Sequence, residues 1–85
     1  MNSIAYLTIE DDIGAPSLSD VAIKIIEEFD NLDISITENT CYCFVLKIIY
    51  DEYEELQELV STASYLLLSA NINRYTTTLN CENFL

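Results

Sequence analysis

Residues 41–50, CYCFVLKIIY, decide the fold. Tyr42, Phe44, Leu46, Ile48 and Tyr50 alternate with Cys41, Cys43, Val45, Lys47 and Ile49. The run is β-branched, aromatic and apolar on both faces, as a strand in the middle of a sheet must be. Lys47 marks the second set as the less buried face.

Upstream, SIAYLTIE (3–10) alternates in the same way, with Ala5, Leu7 and Ile9 on one side and Ile4, Tyr6 and Thr8 on the other. DDIGAP (11–16) is a loop punctuated by the only Gly and the only Pro. Ser17 is placed to cap a helix, with Asp20 three residues on as a carboxylate variant of the capping box. The helix runs LSDVAIKIIEEF and buries Leu18, Val21, Ala22, Ile25 and Phe29, while Asp20, Lys24, Glu27 and Glu28 face water. DISITE (33–38) is a short strand, and Asn39-Thr40 turns it into the central one. Downstream, Asp51 is placed to cap a second helix, EYEELQELVSTASYLLLSA. Its stripe is Tyr53, Leu56, Val60, Ala63, Leu67 and Ala70, widened by Leu59 and Leu66. Asn71 and Asn73 bracket the exit, RYTTTLN (74–80) reads as the last strand, and CENFL as a tail.

The resulting order, βαββαβ, resembles the split βαβ, ferredoxin-like arrangement. That resemblance implies an α+β sandwich over residues 1–85, with two helices on one face of a four-stranded antiparallel sheet. The first and third strands would be central, which suits their apolar character.

Composition narrows function mainly by exclusion. Fifteen acids against three bases give a formal charge of −12, with 51% hydrophobic residues. A chain this apolar folds rather than staying disordered, and a chain this acidic repels DNA, RNA and anionic membranes. There is no His, one Arg (Arg74) and two Lys (Lys24, Lys47). The commonest general base, the commonest zinc ligand, the glycine-rich phosphate cradle and the anion clamp are all missing, so no enzyme is expected. Glu10-Asp11-Asp12 lacks the alternating ligands and the glycine of a calcium loop, so no metal or cofactor is expected either. Cys41 and Cys43 on one strand would put both thiols on one face about 7 Å apart. With Cys81 they read as reduced, buried small hydrophobes of a reducing cytosol. MNSIAYLTIEDD shows no signal-peptide pattern, and no apolar run approaches a membrane span.

The acids themselves carry the functional reading. YDEYEELQEL (50–59) holds Asp51, Glu52, Glu54, Glu55 and Glu58 and no cation. The macrodipole stabilises those in the first turn by about 0.3–1 kcal/mol each. Asp51–Glu55, Glu54–Glu58 and Glu55–Glu58 are nevertheless like-charge neighbours that cost a few tenths each. Over eight residues, roughly 12 Å of helix, the charge spacing is about 2.4 Å, of the same order as the roughly 1.7 Å of duplex DNA. Tyr65, on the outer face near Glu58 and Thr62, is a contact candidate, whereas Tyr50 and Tyr53 are expected to pack partly against the core. Asp11 and Asp12 form a second candidate contact. The sheet face opposite the helices, with Cys41, Cys43, Val45 and Ile49, reads as apolar and admits a homodimer.

In size, charge and uncompensated acidic helix, the chain resembles phage-encoded anti-CRISPR and anti-restriction proteins and other DNA mimics. The resemblance implies an inhibitor that covers the basic nucleic-acid-binding surface of an enzyme such as a CRISPR effector or a restriction nuclease. It would act in the cytoplasm, the host's if phage-encoded. An immunity protein or antitoxin against a basic toxin would use the same physics, and an oligomeric adaptor would use the open sheet face instead.

Overall fold

A computed structural model describes residues 3–83. The elements are β1 (Ser3–Glu10), α1 (Ser17–Glu28), β2 (Asp33–Asn39), β3 (Cys43–Tyr50), α2 (Tyr53–Ser69) and β4 (Thr76–Asn83). All neighbouring strands are antiparallel, in the order β2-β3-β1-β4. The two apolar strands are therefore the central pair, as their sequences demand, and the ferredoxin-like α+β arrangement is the observed one.

One sheet face meets the helices. Ala5, Leu7 and Ile9 of β1 and Phe44, Leu46, Ile48 and Tyr50 of β3 are buried there, against Leu18, Val21, Ala22 and Ile25 of α1 and Leu56, Leu59, Ala63 and Leu67 of α2. Each Val, Leu, Ile or Phe among them contributes roughly 1.5–3 kcal/mol by leaving water. The register sets this up: Leu7 lies opposite Leu46 and Ala5 opposite Ile48, so one strand's core residues meet the other's.

Helix ends and strand ends depart from the sequence reading. Ser17 is inside α1, whose cap position is Pro16 in the helical region (φ −56°, ψ −32°) without a side-chain cap, so the Ser17–Asp20 capping box does not form. Proline pre-sets the helical φ, and the helix starts one residue early. The cap of α2 is Glu52, with an extended backbone, and not Asp51. At the other end of α2, Asn71 takes a positive φ of 62°. Ile72 N–H then donates to the Leu67 carbonyl (2.9 Å) and Asn71 N–H to that of Leu68 (3.0 Å), a Schellman closure. Cys81–Asn83, expected as a tail, continue β4 opposite Ala5, Ile4 and Ser3; the remaining Phe84 and Leu85 lie outside the described residues. Cys41 is not on the strand. The Thr40 hydroxyl accepts from the N–H groups of Tyr42 and Cys43 (3.1 Å each), and that turn places Cys41 before β3 begins.

Candidate functional site

The register fixes which residues share an end of the sheet. Tyr50 lies opposite Ser3, which lies opposite Asn83, and Asp33 lies opposite Ile49. β3 hands over to α2 at this end, and α1 finishes here before β2 starts. The α1 terminus, its connection to β2 and the α2 start therefore converge. Asn31, Leu32, Asp33, Ile49, Tyr50, Asp51 and Glu55 line one open depression there. Glu27, Glu28, Asp30, Asp33, Asp51, Glu52, Glu54 and Glu55 bring eight of the fifteen carboxylates to this pole from the helix ends and the connection between them, and Glu82 of β4, opposite Ile4, lies at the same end of the sheet. All but Glu55 are exposed. None of the three cations is at the pole: Lys24 lies a turn before the end of α1, Lys47 at mid-sheet opposite Tyr6, and Arg74 at the far end.

Helix dipoles do not account for this cluster. They favour acids at the start of α2, but Glu27 and Glu28 occupy the last turn of α1, where carbonyl ends already concentrate negative charge and which holds no basic residue, Lys24 lying one turn earlier.

Within the pole the carboxylates differ in what they can offer. Glu55 Oε1 accepts from the Asp51 N–H (3.2 Å) and the Glu52 N–H (3.0 Å), so its carboxylate is turned back onto the chain. Glu54 and Glu58, one turn apart, point away from the buried stripe and are exposed. Tyr65 lies two further turns along the same ridge, 68% exposed as the sequence suggests. Tyr50 is buried while Tyr53, expected to be partly covered, is 53% exposed. That ring lines a groove with Val60 and Leu79 that stays open to solvent. Burial pushes the Tyr50 hydroxyl above its ordinary value, assisted by its hydrogen bond with Cys81.

Asp11 and Asp12 do not join this surface. They sit at the opposite pole with Arg74, Tyr75 and Thr76. Asp11 is itself buried, its Oδ1 accepting from the N–H groups of Ile13 (3.0 Å) and Gly14 (3.2 Å). Only Asp12 is exposed there as a contact residue.

The open sheet face keeps most of the apolar residues expected of it. Ile4, Cys43, Val45 and Ile49 are buried or half-buried, with Lys47 among them and Cys41 removed to the turn. The large exposed apolar side chains (Ile13, Ile23, Ile36, Tyr42, Tyr53, Tyr65 and Leu68) all lie elsewhere. On this face burial raises the Cys43 thiol to about 11, with a hydrogen bond to Glu38 and the charges of Glu38 and Glu10 adding to it. Among the described residues no three His, Cys, Asp or Glu side chains gather so as to hold a metal ion.

No protein-family model matches the chain, and no curated protein matches it. Among solved structures it is similar to the de novo designed protein Foldit4. The TM-score is 0.63 over the full length of both chains, at 12% identity. A likeness at that identity shows the fold alone. Among the described residues no helix is long and apolar enough to cross a membrane.

Proposed function

We propose that the acidic pole is a protein-binding surface, and that the chain inhibits a nucleic-acid-handling enzyme by covering its basic site. The observation that carries this reading is the convergence of eight carboxylates from three chain segments without a cation among them. A basic groove that tracks phosphates at intervals of a few ångströms finds comparable charge on this pole. Long-range attraction would speed encounter, and the exposed rings of Tyr53 and Tyr65 along α2 would supply desolvated anchors. A CRISPR effector or a restriction nuclease is the class of target that fits. An immunity protein or antitoxin facing a basic toxin differs only in the identity of that target.

Affinity capture from lysate, with each recovered protein then tested for competition by duplex DNA, decides the matter. The expected result is a DNA- or RNA-binding enzyme that DNA displaces. A variant with Glu28, Asp33, Glu54 and Glu58 changed to their amides should lose it while keeping its circular dichroism spectrum. A captured protein that binds DNA and this chain simultaneously, or that the amide variant holds equally well, overturns the reading.

A further inference from the structure

The two edges of the sheet are built differently. β2 is blunted by a register shift between Ile36 and Glu38 and by the charges of Asp33 and Glu38, the devices that keep an edge from pairing. β4 has neither. It pairs with β1 through eight unbroken positions, and from Thr76 to Cys81 it carries no charge. Among the described residues its outer backbone groups face no strand.

The helix layer also stops short of β4. Ile9, Leu7 and Ala5 of β1 are completely covered, yet their β4 partners on the same face are not: Thr77 and Cys81 are exposed and Leu79 is half-buried. Along this ledge, the near flank of α2 forms two grooves. One is lined by Tyr53, Gln57, Val60 and Leu79, the other by Ser64, Leu68, Ile72 and Tyr75.

We propose that β4 pairs antiparallel with β4 of a second copy, Leu79 meeting Leu79 at a twofold axis, to make one continuous eight-stranded sheet. A second copy presents the same unblunted edge, which is self-complementary about a twofold, and charge sets how the two copies can meet. Two chains of −12 each repel wherever acidic poles approach, and antiparallel pairing at β4 sends those poles to opposite ends of the dimer. It also brings Arg74, just before β4, to the end where Glu82 of the second copy lies. The twofold keeps both helix layers on one side, so the α2 flanks and their grooves face each other over the joined strands. This rests on the edge and not on the acidic pole.

The register is testable through native Cys81. Leu79 at the axis sets Thr77 opposite Cys81 of the second copy, with Cβ atoms about 4.5–5.5 Å apart, within reach of a disulfide after small adjustment. In a Cys41→Ser, Cys43→Ala background, Thr77→Cys should give a covalent dimer under mild oxidation. Thr76→Cys, on the other face, should not. Sedimentation of the unmodified chain should show a dimer that strengthens from about 0.1 M to about 1 M salt as repulsion is screened, whereas target binding through the pole weakens. The amide variant of the pole should still dimerise. A monomer at all concentrations, or a dimer that Thr77→Cys does not link, overturns the proposal. So does a monomer that loses a target on Thr78→Lys, which would give the edge to a partner's strand.

Discussion

The two ends of the sheet carry similar residues put to opposite uses. At the Tyr50 end, carboxylates from α1, α2 and the connection between them point mostly into solvent. At the Glu10 end, the Asp11 carboxylate is withdrawn into its own loop, where it organises the turn that Gly14 completes. The same side-chain chemistry is a surface in one place and a structural brace in the other. What separates the two is whether backbone N–H groups claim the oxygens.

The sharpest way to break that contrast is to remove the brace. Asp11→Ala leaves the Ile13 N–H without its acceptor and the Gly14 N–H with the Asp11 carbonyl alone, and should cost about 1–3 kcal/mol in urea unfolding. Asp11→Asn keeps an acceptor oxygen and should recover most of it. Glu54→Ala at the opposite end should move stability by no more than about 0.5 kcal/mol. Equal losses at Asp11 and Glu54 would erase the distinction. Gly14→Ala comes next, at about 1–2 kcal/mol. Gly14 has φ +88°, and an added Cβ would stand 2.8 Å from Cε1 of Tyr42. The Tyr42 ring is exposed and can swing away, so the residual loss measures the backbone strain. A Tyr42→Ala, Gly14→Ala double variant isolates it.

Glu55 tests the comparison from inside the acidic pole. It sits among contact candidates but behaves as Asp11 does, so Glu55→Ala should cost ~1 kcal/mol through the lost cap. Glu55→Gln, which keeps an acceptor, should cost less. Thermal unfolding of this pair beside Glu58→Gln checks it. If Glu55→Ala leaves stability unchanged while abolishing target capture, its carboxylate belongs to the surface and not to the helix start.

Both periodicities made the architecture legible from sequence. The alternation in 3–10 and 43–50 and the 3.6-residue stripes of both helices run unbroken, and burial follows them except at Ile4, which is buried on the open face, and at Tyr53, which is exposed. Ends were not legible where consecutive residues compete for one role, as Pro16 and Ser17 or Asp51 and Glu52 do for caps. The last residues of β4 escaped because an uncovered edge strand writes no burial pattern. The candidate site was legible in half. A linear reading finds the run from Asp51 to Glu58, but Glu27 and Glu28 enter only once the chain direction of each element returns them to the same end. The inward turn of Glu55 has a visible signal in its position three residues after Glu52. That of Asp11 has one in the Asp-x-x-Gly spacing of the turn.

The smallest expected effect is invisible at neutral pH and tests the same rule on the open face. Cys43 is held at about 11 from an ordinary 9.0, first by burial and then by Glu38 and Glu10. A thiol whose folded value is raised stabilises the fold fully below the unfolded value, and that contribution is lost as pH rises through the folded one. Unfolding free energy should therefore decline between about pH 9 and 11, and Cys43→Ala should flatten part of the decline. The thiolate is the nucleophile, so iodoacetamide at mildly alkaline pH should modify exposed Cys81 well before Cys43. Glu38→Gln should narrow that gap, because it removes both a hydrogen bond and a charge that hold the proton. It should not close it, because burial, the larger cause, is untouched. If Cys43 alkylates as fast as Cys81 in the unaltered chain, the carboxylates of β2 and β1 do not govern this face, and the distinction between surface and braced oxygens ends at the loops.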